Sequence, residues 1–132
     1  MINIHIKAPG PDGKLVRLVA DLLRERGMTQ LGYIAGEEDV LAAALTCAPE
    51  IPRACLAHQR DAPRLIATAL RYQCQRLQFF RNVEEEHCRA AAEAGLIRNL
   101  FWSDELADAQ HYVDMGIDVL LTNEAHRLLP LV

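Results

Sequence analysis

Short apolar segments with two different periodicities alternate along this chain. Segments of alternating or continuous apolar residues predict strands, and apolar residues spaced three and four positions apart predict helices. In the first strand, at residues 2–7, Ile2, Ile4 and Ile6 alternate with polar residues, and the first helix is predicted at 15–26. Further strands are predicted at 31–35, 53–57, 77–80, 97–102 and 119–122, helices at 37–47, 63–72, 84–94 and 104–115, and one more turn after residue 124.

Six predicted strands thus alternate with five helices, without a linker between them. This alternation is typical of a parallel sheet covered by helices, either open and doubly wound or curved as part of a barrel. The 132 residues suffice for one domain. A complete (β/α)₈ barrel needs about 250 residues, so only part of such a barrel fits.

The charge, hydropathy and cysteine content of the chain disfavour several classes of protein. The net charge is −4 and no block of Lys or Arg occurs, which disfavours general binding to nucleic acid. No apolar run is long enough to span a membrane, and the N-terminus does not resemble a signal peptide. The four cysteines are widely spaced without a CxxC pair, which favours buried thiols in a cytoplasmic protein over a zinc site or a disulfide.

Residues that bind a ligand or take part in catalysis are expected just after the strands, because ligand sites of parallel α/β folds form at the carboxyl ends of their strands. No nucleotide-binding or common hydrolase motif occurs in the sequence. The residues predicted at these strand ends are His5 and Lys7, Gly36 and Glu37, His58 and Gln59, Phe80 and Arg81, Trp102, Ser103 and Asp104, and Thr122, Asn123 and Glu124.

The first strand is the most informative of these elements. Asn3, His5 and Lys7 all point to one face, whereas a central parallel strand is normally apolar on both faces. This pattern predicts either a polar cavity or an edge strand with one face in water, and the sequence leaves both open.

The other candidates each have a simpler structural explanation. His58 has the chemistry to bind a metal or transfer protons, but it also fits a surface loop. Trp102 is either a platform for a sugar or glycerol or a core residue. His87 and His111 are expected to face solvent, and the acidic residues 84–86 suit the positive end of a helix dipole.

Three segments carry a resemblance to a known family. The chain reads NLFWSD at 99–104 and DMGIDVLLTN at 114–123, APEIP at 48–52, and NIHIK at 3–7. In this order they resemble the last two strands, the segment before the fifth strand, and the N-I-E-I-K third strand of the glycerophosphodiester phosphodiesterases. The resemblance spans nearly the whole chain.

The resemblance implies a partial (β/α)₈ barrel of about six parallel strands. Members of the family hydrolyse glycerophosphodiesters with two histidines and a divalent metal ion, so Mg²⁺, Ca²⁺, Mn²⁺ or Zn²⁺ is the implied cofactor. Lys7 corresponds to a lysine that neutralises phosphate charge, and Trp102 to a tryptophan on the glycerol side of the pocket. His5 falls at the position of a metal-binding glutamate, which makes it the candidate metal ligand.

The same comparison predicts reduced activity. The family's H-R-G segment, its paired carboxylates and its second catalytic histidine have no counterpart here, so we expect a truncated pseudoenzyme of lipid metabolism. The alternative is an active metal-dependent hydrolase completed by oligomerisation or by a partner chain; a structural remnant or an excised fragment is a third interpretation. Six strands cannot close a barrel of eight, and open sheet edges favour a homodimer or a partner that covers them.

Overall fold

Six parallel strands form one curled sheet in the computed structural model, which describes residues 1–131. The strands are β1 (Ile2–His5), β2 (Gly32–Gly36), β3 (Arg53–Cys55), β4 (Arg76–Phe80), β5 (Ile97–Phe101) and β6 (Val119–Leu121). Their order in the sheet is their order in the chain, and every neighbouring pair is parallel. Strands β1 and β6 therefore lie at the two open edges.

Helices connect the strands and cover one face of the sheet. They are α1 (Lys14–Glu25), α2 (Glu38–Cys47), α3 (Ala62–Arg71), α4 (Glu85–Glu93), α5 (Leu106–Asp114) and α6 (Ala125–Leu128), with 3₁₀ turns at Pro11–Gly13 and Leu129–Leu131. Each predicted strand and each of the five predicted helices is present, with its ends within two residues of the prediction. Sequential strand order with right-handed crossovers places the helices on one side. The partial barrel is therefore confirmed, and the doubly wound alternative is wrong.

The core lies between the sheet and its helices. Leu77, Phe79 and Leu100 point to this side from β4 and β5 and are fully buried. Ile6 and Ile34 form a second cluster with Val16 of α1. Because side chains alternate along a strand, the residues between them point to the inner, helix-free face of the curled sheet.

Glycines end helices where the sequence predicts. Gly95 follows α4 with φ +75° and Gly116 follows α5 with φ +94°, in the left-handed region that L-residues rarely adopt. After α4, the backbone N–H of Leu96 donates to the carbonyl of Ala91 at 3.0 Å. This bond satisfies a carbonyl that the end of the helix would otherwise leave without a donor.

The cysteines are free thiols, as predicted. Cys55, Cys74 and Cys88 are buried, while Cys47 is only half-buried, so the expectation of burial is right for three of the four. The neighbouring thiol of Cys74 and then burial raise the pKa of the Cys55 thiol. Within residues 1–131, no helix has the length and hydropathy needed to cross a membrane.

Candidate ligand site at the carboxyl edge of the sheet

Three aromatic side chains form a row at the carboxyl ends of β4 and β5. The rings of Phe80 and Phe101 lie 6.2 Å apart, and those of Phe101 and Trp102 lie 5.2 Å apart in an edge-to-face contact. Phe101 and Trp102 are each 38% exposed. Trp102 therefore does not fill the core; it lines an open cleft of about 630 Å³ together with Phe101, Leu121 and Asn123.

The polar side chains of β1 lie on the inner face of the sheet, and β1 itself is one of the two outermost strands. Asn3 pairs with Tyr33 and His5 with Ala35, so these side chains share the face opposite the helices. Asn3, His5 and Lys7 are all exposed. The two interpretations of this strand thus both hold in part, because β1 is an edge strand that borders a concave surface.

Lys7 and Trp102 lie at the same edge of the sheet but on strands far apart. Three strands separate β1 from β5, which corresponds to roughly 19 Å along the sheet, shortened across the concave side by its curl. A small ligand can therefore contact both only on the concave side at the carboxyl ends of the strands, which we call the mouth. There the lysine and tryptophan side chains themselves must cover most of the separation between their strands.

Other charged residues of this edge are held by protein partners. The carboxylate of Asp104 accepts bonds from the hydroxyl of Thr122 at 2.9 Å and from the backbone N–H of Asn123 at 2.8 Å. The bond from the Asn123 backbone is the main cause that lowers the pKa of Asp104. Arg81 pairs with Asp108 at 2.8 Å and donates to the carbonyl of Trp102. These groups connect the ends of neighbouring elements.

His58 is also engaged by the protein. Its Nε2 lies 3.1 Å from a carboxylate oxygen of Glu38, whose other oxygen accepts from the hydroxyl of Tyr72 at 3.1 Å. His58 adopts φ +63°, a left-handed conformation. The hydrogen bond to His58 and then that to Tyr72 lower the pKa of Glu38. His58 is thus neither a solvated surface residue nor part of a metal cluster with other residues of the 1–131 range.

A second cavity, of about 460 Å³, lies over the end of β3. The residues that line it are Glu37, Leu56, His58, Gln59, Arg60, Asp61, Arg64 and Phe80. In this cavity the guanidinium of Arg60 stacks on Phe80, with its central carbon 4.3 Å from the ring centroid. Arg60 is not among the residues predicted from the sequence at this strand end, because it directly follows the predicted pair His58 and Gln59. An arginine in the loop after a parallel strand is the signal that would have found it.

The inner face of the sheet carries buried polar side chains beneath the aromatic row. Asn99 and Gln78 are paired across β4 and β5, and both are buried. The amide of Asn99 donates to the hydroxyl of Tyr33 at 3.3 Å, but its Oδ1 accepts no hydrogen bond from residues 1–131. This side of the sheet is therefore partly polar, in contrast to the helix-covered side.

The donor set at the mouth does not fit a hard divalent metal. Mg²⁺ and Ca²⁺ prefer several oxygen ligands, whereas His5 offers a single imidazole. Among residues 1–131, His5 belongs to no group of three His, Cys, Asp or Glu side chains close enough to share one ion. The one cluster with metal-ligand spacing among residues 1–131 is Glu84, Glu86 and His87, at the start of α4. There the Nδ1 of His87 accepts from the backbone N–H of Glu84 at 3.3 Å, so the cluster is explained by the start of the helix.

Two further histidines, His87 and His111, lie on helices. His111 is exposed on α5, as predicted, whereas His87 is only half-exposed because its ring packs back on the start of α4. The expectation for His87 is therefore wrong in part, for the reason that it serves the helix terminus.

Comparison with solved structures identifies the fold. A glycerophosphodiester phosphodiesterase from Parabacteroides distasonis matches with a TM-score of 0.81 at 12% identity, over 98% of this chain and 56% of that chain. A phosphodiesterase from Oleispira antarctica, solved with the product sn-glycerol-3-phosphate, matches with a TM-score of 0.79 at 15% identity, over 97% of this chain and 53% of that chain. A glycerophosphodiester phosphodiesterase from Agrobacterium tumefaciens matches with a TM-score of 0.78 at 16% identity, over 98% and 54%.

This chain spans about half the length of those proteins. No protein-family model matches its sequence, and no curated protein does. The predicted likeness to this family is thus confirmed in the fold. The chain has the fold of part of a glycerophosphodiester phosphodiesterase barrel, with six parallel strands and the helices between them.

Proposed function

We propose that this chain binds a glycerophosphodiester or its phosphate-containing product at the carboxyl edge of the sheet, and that it hydrolyses phosphodiesters weakly or not at all. Lys7 would contact the phosphate and Trp102 the glycerol. The observation that carries the proposal is the open cleft beside Trp102, on a fold shared with a phosphodiesterase that holds sn-glycerol-3-phosphate.

The chemistry of the two side chains suits this ligand. Lys7 is exposed, and within residues 1–131 no carboxylate lies within ion-pair distance of its ammonium group. A free ammonium group attracts phosphate oxygens. The exposed indole of Trp102 offers an apolar face on which the carbon side of a glycerol moiety packs.

The expectation of weak hydrolysis rests on the acid–base groups of the mouth. General acid–base catalysis requires proton carriers within hydrogen-bond reach of the reacting atoms. Asp104 already accepts hydrogen bonds from Thr122 and Asn123 just after β6, and His58 is bonded to Glu38. His5 offers an imidazole where the resemblance implies a metal-binding carboxylate, so this chain by itself would hold a hard metal ion poorly.

Binding and turnover are tested separately. Glycerol 3-phosphate binding would be followed by NMR in the parent chain and in Lys7→Ala, Trp102→Ala and Lys14→Ala. Lys14 is the only other lysine, so Lys14→Ala is the matched control. We expect loss of binding in the first two variants and retention in the third. Equal affinity in all four proteins would contradict the proposed site.

Turnover would be measured with glycerophosphocholine and Mg²⁺, Mn²⁺, Ca²⁺ or Zn²⁺ in turn. We expect no metal-dependent hydrolysis above the level of the His5→Ala variant. Metal-dependent turnover that His5→Ala or Lys7→Ala abolishes would overturn the proposed pseudoenzyme and establish an active hydrolase.

The second candidate is an active hydrolase whose site is completed by a second copy or a partner chain. It is favoured by the exposed apolar residues near the β1 edge: Met1 and Ile2 are exposed, as are Leu15, Leu18 and Leu22 of α1. Sheet edges and apolar surfaces of this kind favour association. Sedimentation equilibrium of the parent chain and of the Leu18→Glu variant tests this candidate. A dimer that the substitution abolishes, together with turnover that rises with the fraction of dimer, would support it. A monomer at micromolar concentration without turnover would exclude a self-completed site.

A further inference from the structure

The guanidinium of Arg60 is held in the cavity over β3 by an aromatic ring. Its central carbon lies 4.3 Å from the centroid of Phe80, a geometry in which the ring attracts the cation and fixes its plane. Phe80 is in turn in contact with Phe101 of the neighbouring strand. The position of Arg60 is thus set by the sheet, although the residue itself belongs to a loop.

The loop that carries Arg60 is anchored on both sides. The carbonyl of Gln59 accepts from the backbone N–H of Phe80 at 3.1 Å, and the side chain of Gln59 donates to the carbonyl of Gln78. The carbonyl of Arg60 itself accepts from the side chain of Asn82 at 3.0 Å. These bonds connect the loop after β3 to β4 and to the turn beyond it, so Arg60 is presented by a fixed backbone.

The N–H groups of Arg60 remain available to a ligand. Within residues 1–131, no carboxylate lies within ion-pair distance of Arg60, and its side chain donates no hydrogen bond. Arg81 of the same edge, by contrast, is used by Asp108. A planar guanidinium has five N–H donors in a fixed fork that matches the oxygens of a phosphate group.

We infer that Arg60, seated on Phe80, is a phosphate-binding side chain of this cavity, in addition to Lys7 on β1. The ligand is the phosphate group of a phosphate ester, which accepts two N–H bonds from Arg60. The choice of a phosphate ester as ligand rests on the proposed function, whereas the role of Arg60 as an anion-binding group stands on its own contacts. The cavity also contains Glu37 and Asp61, so binding depends on paired hydrogen bonds rather than on a surplus of positive charge.

The test uses NMR titration of the full chain with inorganic phosphate and with glycerol 3-phosphate, with glycerol as the uncharged control. The side-chain Nε–H signal of Arg60 is expected to shift with phosphate and with glycerol 3-phosphate but not with glycerol. Arg60→Gln should lower phosphate affinity about tenfold, because it removes a charge-assisted pair of bonds. Arg60→Lys should retain only part of the affinity, since it keeps the charge and loses the fork.

Two further variants separate specific binding from general electrostatics. Arg64→Gln removes a positive charge from the same cavity and is expected to leave phosphate affinity within about twofold. Phe80→Leu keeps every charge and is expected to weaken binding about threefold by releasing the guanidinium plane. Equal losses in Arg60→Gln and Arg64→Gln would overturn the inference. The backbone NMR spectrum of each variant reports whether it is folded.

A last arm distinguishes a soluble ester from a lipid headgroup as the source of the phosphate. If the protein co-sediments with phosphatidylglycerol vesicles and Arg60→Gln abolishes this, the phosphate comes from a lipid headgroup. If the protein binds glycerol 3-phosphate saturably and does not co-sediment with the vesicles, the phosphate comes from a soluble ester. Absence of Arg60-dependent binding in every arm would overturn the inference. Phosphate binding that depends on Arg60 but not on Lys7 or Trp102 would support this inference while contradicting the proposed function.

Discussion

The guanidinium of Arg98 and the carboxylate of Asp118 form a two-bond ion pair between β5 and the residue just before β6. Both bonds, from Nε and from Nη2, are 2.7 Å long, and the backbone N–H of Arg98 also donates to the same carboxylate at 2.8 Å. This pair fixes the register of the edge strand β6, whose partner strand exists on one side only.

Asp118→Asn is expected to lower the free energy of unfolding by about 1 kcal/mol at neutral pH, a modest value because the carboxylate remains partly exposed. Partial burial acts in the opposite direction, but the hydrogen bonds and charge of Arg98 lower the pKa of Asp118 below its ordinary value of 3.8. A lowered pKa stabilises the fold above the ordinary value, and this contribution is lost as the pH falls through the lowered pKa. Urea unfolding should show a gap between parent and variant at neutral pH that closes in acid. Asp114→Asn is the control; a gap independent of pH would contradict the assignment.

Gly36 allows α2 to approach the end of β2. A Cβ atom at this position would lie 2.6 Å from Cβ and Cγ1 of Val40 and 3.1 Å from the carbonyl of Ile6. Gly36→Ala should therefore destabilise the protein by about 1–3 kcal/mol. The penalty should be smaller in a Val40→Ala background, since part of the clash is removed. Thermal unfolding of the single and double variants measures this coupling.

Gly32→Ala, on the same strand, is the matched control for Gly36. A Cβ there meets its nearest neighbour at 3.4 Å, which is ordinary contact. We expect its cost to be well below that of Gly36→Ala. Equal costs at the two positions would show that strand propensity, and not close packing against α2, explains Gly36.

Arg53 is a buried cation without a carboxylate partner among residues 1–131. It is 2% exposed and donates to the backbone carbonyls of Tyr72 at 3.1 Å and Gln73 at 3.0 Å, and to those of Pro49 and Ile51 at 3.1 Å. Burial lowers the pKa of Arg53. The side chain thus joins the loops before β3 and β4.

Arg53→Lys should cost about 2–3 kcal/mol in urea unfolding, because one ammonium group cannot reach all four carbonyls and leaves buried acceptors without donors. Arg26→Lys, at an exposed position just after α1, is the control and should change stability by less than about 0.5 kcal/mol. If Arg53→Lys were as stable as the control, the four-carbonyl contact would not contribute to the fold.

The contact between Glu38 and His58 makes a prediction about the carboxyl group of Glu38, whose titration NMR can follow. Hydrogen bonds from His58 and then Tyr72 lower the pKa of Glu38 below its ordinary value of 4.5. Deprotonated Glu38 therefore stabilises the fold at pH values above 4.5, and this stabilisation is lost as the pH falls through the lowered pKa. His58→Asn should shift the midpoint of the Glu38 carboxyl upward while tolerating the left-handed backbone, and Tyr72→Phe should do so to a smaller extent. His111→Gln, on a distant helix, should leave it unchanged. An unaltered midpoint in His58→Asn would contradict the pair.

Particular residues show where prediction from sequence succeeded. Alternation of Ile2, Ile4 and Ile6 with polar neighbours correctly placed Asn3 and His5 on one face of a strand, and the glycines at 95 and 116 correctly marked helix ends. The carboxyl-edge position of Trp102 also followed from strand direction alone, although its exposure did not.

The sequence by itself determined the order and type of the elements, since strand alternation, helix periodicity and helix-ending glycines act over a few neighbouring residues. Only the tertiary structure decided which side chains meet at the mouth. Arg60 and Phe80 lie twenty residues apart in the chain, as do Arg98 and Asp118. Such contacts depend on the register and curl of the sheet, which arise when all six strands pack together, and no local pattern records them. The sequence thus predicted a ligand-binding edge, and the packing of the sheet determined which of its charges remain available to a ligand.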